Sequence, residues 1–202
     1  MELRDYLKIF SRQKPLIIIF TLLVTIGAFL FAYNQPILYD TSISFTINRT
    51  AKQQTADYQY DGYYAMQASN LLANTIMSWL MTPSVLLEIY QQAGIKPQIK
   101  SIDQFSNQFK VKKFSAQNVV VRFKERNQET AEKIAHGVIT VVQNKAQELN
   151  KTSKGESLFT VVGSLPVIVP FKASVALVTL IGLICGLLVG CLLAYIRWYF
   201  RQ

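Results

Sequence analysis

The side chains best suited to chemistry in this sequence are basic, and they concentrate in two short stretches. These stretches are KVKKF at 110–114 and RFKER at 122–126. Their candidate contact residues are Lys112, Lys113, Arg122, Lys124 and Arg126. Clustered cations attract anionic partners through long-range electrostatics, although ordinary solvated surfaces contain such residues too. We therefore predict a basic surface that contacts an acidic polymer.

The sequence lacks the side-chain combinations that catalysis requires. Its one histidine, His136, lies near Glu132 and Lys133 on the predicted polar side of a helix, and a single histidine does not make a metal site. No G-x-x-x-x-G-K-[ST] phosphate loop occurs, and no serine or cysteine has a recognisable base partner. We expect a protein that is not an enzyme, without catalytic residues, cofactor or metal.

Three glycines recur at four-residue spacing near the end of the chain: Gly182, Gly186 and Gly190, with Ala194 next in register. Glycine inside a helix costs about 1 kcal/mol relative to alanine. Small residues at this spacing allow another helix to approach closely, although glycine is also common in membrane helices for other reasons. We predict a transmembrane packing face, whose partner is either the first apolar segment near Gly27 or a neighbouring protomer.

Two uncharged apolar segments lie near the ends of the chain, over residues 16–33 and 173–196. At about 1.5 Å per residue, each is roughly 27 Å long or longer, enough to cross a hydrocarbon core of about 30 Å. A cleaved signal peptide is the alternative for the first segment. Its apolar stretch exceeds the usual length of about 7–15 residues, and no small-x-small cleavage site follows. We predict transmembrane helices at 15–33 and 173–196.

The charged flanks of these segments predict their orientation. The flanking basic residues are Arg4, Lys8, Arg12 and Lys14 before the first segment, and Arg197 and Arg201 after the second. Positive short flanks remain in the cytoplasm, which predicts cytoplasmic segments at 1–14 and 197–202 and an extracytoplasmic domain at 34–172. Both cysteines, Cys185 and Cys191, lie in the second segment and are predicted to be packing residues. The external domain therefore has no disulfide framework.

Hydrophobic periodicity predicts the elements of the external domain. Strands are expected at 39–48, 108–114, 118–124 and 157–163. One helix is expected over about 65–80, and a second begins at Pro83 after a Thr82 N-cap and ends at Gly94. The last helix runs from an Asn127 cap to about Lys151. Its predicted core stripe is Ala131, Ala135, Val138, Val142 and Leu149.

The order of these elements predicts an α+β fold. With the two adjacent helices counted as one element, the order is βαββαβ. This order is typical of a ferredoxin-like domain, in which helices pack on one face of an antiparallel sheet. We therefore predict a ferredoxin-like βαββαβ external domain flanked by two transmembrane helices.

Two prolines, Pro166 and Pro170, lie between the last predicted strand and the second apolar segment. Proline fixes φ and has no N–H to donate. We predict an unpaired, extended juxtamembrane segment that holds the domain at a fixed distance from the bilayer. The alternative for Pro170 is that it only marks the start of the following helix.

Several local stretches, in order, resemble the Wzz-type chain-length determinants, also called polysaccharide co-polymerases. The start LRDYLKIFSRQKPLIII has the family's acidic residue, aromatic–leucine pair and basic residue at Asp5, Tyr6-Leu7 and Arg12. SAQNVVVRFKERNQETAEKIAHGVITVVQ and the proline-bearing LPVIVPFKAS, followed by G-x-x-x-G, are also similar. The chain departs from the family pattern at Ala173-Ser174, where another proline is usual, and its compact domain resembles that of the small capsule proteins.

The resemblance implies a bacterial inner-membrane protein that oligomerises and sets the chain length of O-antigen of lipopolysaccharide, capsule or exopolysaccharide. Its implied partners are copies of itself, a polysaccharide polymerase, the growing glycan and membrane lipid. Nucleic acid is not expected outside the cytoplasm. Because only six residues follow Ile196, a tyrosine kinase is expected only in trans. Two alternatives are a two-helix membrane sensor or scaffold with a ligand-binding external domain, and an enzyme whose site a partner completes.

Overall fold

The computed structural model describes residues 13–50, 61–97, 101–151 and 158–200. In chain order the elements are α1 (Lys14–Tyr33), β1 (Leu38–Arg49), α2 (Asp61–Trp79), α3 (Pro83–Gln92), α4 (Ile102–Ser106), β2 (Lys110–Ser115), β3 (Asn118–Glu125), α5 (Gln128–Asn150), β4 (Phe159–Gly163), β5 (Val167–Phe171) and α6 (Val175–Tyr199). The chain divides into two compact units, residues 37–171 and the terminal residues 1–36 with 172–202. The predicted α+β class is confirmed.

The terminal unit contains two long apolar helices, α1 and α6. Each is long and apolar enough to span a membrane. Helix α1 has a proline in its first turn, and α6 begins where the N–H of Leu177 donates to Oγ of Ser174. The flanking residues Arg4, Lys8, Arg12 and Arg201, and the family-like residues Asp5, Tyr6 and Leu7, lie outside the described residues.

The other unit is built on a five-stranded antiparallel sheet in the order β2-β3-β1-β4, with β5 also paired to β1. Strand β1 alternates as expected, and Ile43, Phe45 and Ile47 are fully buried on one face. Across the β1–β3 register, Val121 is opposite Ile43 and Val119 is opposite Phe45. The core therefore lies on this face of the sheet.

Three helices supply the other half of the core. Fully buried side chains come from α2 (Ala73, Ile76), α3 (Leu86, Ile89) and α5 (Ile134, Val138, Val142). The predicted cap of α5 is confirmed, because the N–H of Glu129 donates to Oδ1 of Asn127 at 2.9 Å. Leu149 was wrongly assigned to the core: it is 59% exposed, and Ala146 is the last buried residue of α5. The final turn of the helix extends past the core.

The ends of α3 differ in part from the prediction. Gly94 has φ of +68°, a left-handed conformation that glycine adopts without strain. The N–H of Ile95 then donates to the carbonyl of Tyr90, so the predicted end is confirmed. Thr82 is the N-cap residue of α3, as predicted, but its hydroxyl donates to the carbonyl of Ser78 and makes no capping hydrogen bond.

The segment that contains the two prolines is a strand where an unpaired spacer was predicted. Residues 167–171 form β5, which pairs with β1 from Leu38 opposite Phe171 to Ser42 opposite Val167. Strand β5 is an edge strand, so Pro170 breaks no ladder on its outer side. Pro166 lies just before β5. At this point Ser164 donates its N–H to the carbonyl of Ser44 and accepts from the Ser44 N–H through Oγ.

Candidate functional site: a basic sheet face and an adjacent cavity

The face of the sheet opposite the core displays a group of cations, here called the basic face. It consists of Lys110, Lys112, Arg122 and Lys124 on β2 and β3. All four residues are exposed. In register, Lys110 is opposite Arg122 and Lys124 is opposite Asp40. Since side chains alternate along strands, β pairing brings these four cations to one surface.

Few contacts restrain the cations of the basic face. A nitrogen of Arg122 lies 3.9 Å from a carboxylate oxygen of Asp40. This exposed pair is worth little, at most about 1 kcal/mol. Nζ of Lys124 lies 3.9 Å from the ring centroid of Phe171, and Nζ of Lys112 lies 5.1 Å from that of Phe114. The basic face thus combines exposed positive charge with two exposed aromatic rings.

Beside the basic face, the same side of the sheet is apolar. The β4 and β5 side chains there are Val162, Val167, Val169 and Phe171, all exposed. Val167 is opposite Ser42 and Val169 is opposite Asp40, so they share the face of Arg122 and Lys124. The uncovered side of the sheet is therefore positive across β2 and β3 and apolar across β4 and β5.

The structure separates the five basic residues predicted as a set. Lys112, Arg122 and Lys124 lie on the basic face. Lys113 projects from the core-facing side of β2, where Nζ donates to Oδ1 of Asn70 at 2.8 Å and to Oδ1 of Asn74 at 2.6 Å. Arg126 follows β3 and lines a cavity.

The sequence prediction also missed Lys110 as a member of the basic face. Its signal was present in the sequence: Lys110 and Lys112 are two residues apart, so they point to the same side of a strand. Lys113 has the opposite parity. Applying strand alternation to β2 would have included Lys110 and excluded Lys113.

A cavity of about 770 Å³ opens at the end of β3. Its lining comes from β1, α3, α4, β3, α5 and the segments next to them. The lining residues are Leu38, Tyr90, Ile95, Lys96, Gln104, Phe105, Asn107, Gln108, Lys124, Glu125, Arg126, Thr130 and Ile134. The prediction assigned no cavity here, because residues distant in sequence form it and helix α4 was not predicted.

One carboxylate, Glu125, lies in the lining of the cavity. Nε2 of Gln108 donates to its Oε1 at 3.1 Å. Burial raises the pKa of Glu125, while the hydrogen bond from Gln108 and the nearby Arg126 act in the opposite direction. Burial, followed by the charge of Glu125, also raises the pKa of the Tyr90 phenol. The carboxylate is therefore held in surroundings that favour its protonated form.

The three predicted packing glycines of α6 lie against α1 of the same chain. Gly182 faces Ala28, a Cβ at Gly186 would lie 3.1 Å from the backbone of Thr21, and one at Gly190 would lie 3.1 Å from the carbonyl oxygen of Ile17. All three glycines and Ala194 are buried. This contact lies near Gly27, as expected, because Ala28 is the next residue, although nothing lies within 4 Å of a Cβ at Gly27 itself.

The remaining candidate groups form no cluster in the described part of the chain. His136 is exposed on α5. Cys185 is an exposed free thiol and Cys191 a partly exposed one. Among the described residues, no three His, Cys, Asp or Glu side chains lie close enough together to hold a metal ion.

Comparison with known proteins adds no family or homologue to these observations. No protein-family model matches the chain, and no curated protein matches it. The features that bear on function are therefore the basic face, the adjacent cavity and the contact between the two apolar helices.

Proposed function

We propose that this chain is an oligomeric, non-enzymatic membrane protein that regulates the chain length and export of a surface polysaccharide. In this proposal it is a small relative of the Wzz-type chain-length determinants and acts beside a polymerase. One observation carries the proposal: four exposed cations share one sheet face of an α+β unit that lies, along the chain, between two apolar helices. Such a surface suits repeated contacts with a long polyanion.

The spacing on the basic face fits a polymer better than a small molecule. Neighbouring strands lie about 4.8 Å apart, and residues two apart on a strand are separated by roughly 7 Å. Cations on this lattice meet successive sugar units. Phe114 and Phe171, each in contact with a lysine, offer rings to the apolar faces of those sugars. Each contact is weak, so the growing glycan can move across the face.

The proposal includes a ferredoxin-like fold for the external unit. The strand order β2-β3-β1-β4 with antiparallel neighbours supports this assignment. Helices α2 and α3 connect β1 to β2, and α5 connects β3 to β4, as in a split βαβ arrangement. Strand β5 is an addition to that pattern.

The proposed location is the bacterial inner membrane, with both termini in the cytoplasm and residues 34–172 outside it. The uncharged lengths of α1 and α6 support the two spans. Exposed Leu and Ile side chains on both helices suit contact with lipid. The proposed protein partners are copies of this chain, the polymerase and, in trans, a cytoplasmic tyrosine kinase.

The decisive experiment compares surface polysaccharide on gels from a deletion strain and from complemented strains. The deletion should lose or shift the modal chain length, and wild-type protein should restore it. A Lys112→Glu, Arg122→Glu double variant should restore it poorly, because it reverses two charges on the basic face. The matched control Lys133→Glu changes an exposed lysine on α5, whose Nζ contacts Glu129, and should complement.

An unchanged ladder in the deletion strain would overturn the proposal and favour the membrane sensor or scaffold. If deletion changes the ladder and the double variant restores it as well as wild type does, the length-regulating role is retained. That result would remove the basic face from that role.

A further inference from the structure

The cavity at the end of β3 has the size of a small-molecule site. It adjoins the basic face, whose dimensions suit a polymer. Its volume of about 770 Å³ falls within the range of roughly 300–1,000 Å³ that is common for ligand pockets. Lys124 belongs to both surfaces, which makes the cavity and the basic face neighbours. A ligand in the cavity could therefore belong to a chain that lies on the basic face.

The polar lining of the cavity is rich in amide side chains. Gln104 lies on α4, and Asn107 and Gln108 follow it. A carboxamide offers two N–H donors and a carbonyl acceptor, and a hydroxyl group also both donates and accepts. Neighbouring amides therefore match a ligand with several adjacent hydroxyls.

The charges at the cavity favour an anionic ligand. Lys96, Lys124 and Arg126 are exposed cations of the lining. Glu125 is the only carboxylate among the described lining residues, and that group accepts a hydrogen bond from Gln108. Within the described residues, neither Lys96 nor Arg126 forms an ion pair. A guanidinium with free N–H groups can hold a carboxylate or phosphate through two parallel hydrogen bonds.

Apolar side chains complete the lining. The rings of Tyr90 and Phe105, with centroids 5.7 Å apart, are largely buried beneath the cavity, and the partly exposed Leu38 and Ile95 extend this apolar wall. An apolar wall beside amides and cations suits a ring that has C–H groups on one face and hydroxyls at its edge. A sugar ring has this distribution, whereas inorganic phosphate leaves the wall without a partner.

We propose that the cavity binds one acidic saccharide unit, with its anionic group on Arg126 and Lys96 and its hydroxyls on Gln104 and Asn107. The assignment of this saccharide unit to a longer glycan rests on the proposed function. The cavity then holds one sugar in place while the rest of the chain lies along the basic face.

The test is calorimetric titration of the purified full chain in detergent micelles. The probes are cellobiouronic acid, glucose 1-phosphate, neutral cellobiose and inorganic phosphate. At least one of the two acidic sugars should bind, and both reference compounds should bind at least about tenfold more weakly. The comparison of carboxylate with phosphate identifies the anionic group that the cavity prefers.

Variants assign the binding to this cavity. Arg126→Gln and Asn107→Ala should each weaken binding of the acidic sugar by about tenfold. Lys133→Gln, which removes an exposed lysine outside the cavity lining, should leave binding unchanged. Circular dichroism of each variant checks that the fold is retained.

Four results would overturn the inference. They are no binding of either acidic sugar, inorganic phosphate binding as tightly as the acidic sugar, neutral cellobiose binding as tightly as the acidic sugar, and acidic-sugar binding that neither cavity variant weakens. The polysaccharide gel tests the proposed function separately. If the deletion changes the ladder but no acidic sugar binds, only the cavity inference fails. If an acidic sugar binds but the ladder is unchanged, only the length-regulating role fails.

Discussion

Lys112 and Lys113 are adjacent in sequence and have opposite surroundings. Lys112 is exposed on the basic face, 5.1 Å from the ring of Phe114. Lys113 donates to the side chains of Asn70 and Asn74 on α2. Strand alternation alone separates the two roles. Lys113 ties β2 to a helix, and Lys112 remains available to a partner.

Glu125 has a partly buried carboxyl group whose protonation should affect stability. Because burial raises its pKa in the folded chain, the native state holds the proton more tightly than the unfolded state. The free energy of unfolding should therefore fall as pH rises from 4.5, the ordinary pKa of a glutamate, through the raised pKa of Glu125 in the native state. Glu125→Gln should be more stable than wild type at neutral pH and equal to it in acid. Thermal unfolding between about pH 4 and 8 measures this difference.

Glu129 is the matched control for Glu125, because its pKa changes in the opposite direction. The hydrogen bond from Lys133, followed by its charge, lowers the pKa of Glu129. The stability it contributes is present above the unfolded pKa and is lost as pH falls through the native pKa. Glu129→Gln should therefore give no gain at neutral pH. A similar gain from both substitutions would contradict the role assigned to burial.

At the scale of elements, α3 and α5 pack closely at a glycine that the sequence prediction did not single out. A Cβ at Gly137 would lie 2.7 Å from the carbonyl oxygen of Ile89. That carbonyl also accepts the N–H of Ala93 near the end of α3. Gly137 therefore sets the distance between two helices that cover the core.

Gly137→Ala should destabilise the chain even though alanine favours helices by about 1 kcal/mol. Forcing a methyl group against a carbonyl should cost about 1–3 kcal/mol overall. Urea unfolding in detergent, followed by circular dichroism, measures the loss. The neighbouring His136→Ala variant changes an exposed residue and should remain within about 0.5 kcal/mol of wild type. Equal stability of the two variants would rule out the close approach.

The contact between α1 and α6 provides a second pair of variants. Gly186→Leu should separate these helices, because even a Cβ there meets the backbone of Thr21 at 3.1 Å. Gly27→Leu adds the same side chain where nothing lies within 4 Å. The solubilised chain is heated to a series of temperatures before size-exclusion chromatography. The temperature at which half of the native peak is lost should be lower only for Gly186→Leu. A smaller oligomer with this temperature unchanged would instead place the glycine face between protomers.

At the scale of the whole molecule, the proposed arrangement has residues 34–172 on one side of the membrane and both termini on the other. Two single cysteines test it in a chain with Cys185→Ser and Cys191→Ser. A membrane-impermeant maleimide should label Thr46→Cys in spheroplasts and label Phe200→Cys only after permeabilisation. Both positions are exposed in the structure. Labelling of Phe200→Cys in sealed spheroplasts would show that the second span is reversed or absent.

Local patterns in the sequence predicted most elements of the fold. The alternation of β1 and β3, the Asn127 cap and Gly94 depend on nearest neighbours, and the structure has them within a few residues of the predicted positions. The missed features depend on distant partners. Strand β5 contains a proline and is a strand only because β1 presents a free edge. Leu149 continues the apolar stripe but lies beyond the core.

For the site, the sequence by itself determined the excess of positive charge, the alternation of Arg122 and Lys124 and the small-residue spacing on α6. These properties depend only on residue type and on the periods of strands and helices. Tertiary structure alone decided that the cations of β2 and those of β3 share a face, where Lys113 finds its partners and which part of α1 meets the glycines. It also assembled the cavity from five helices and strands and the segments next to them. Pairing register and helix packing bring together residues as distant as Leu38 and Ile134, and no local pattern encodes such a contact.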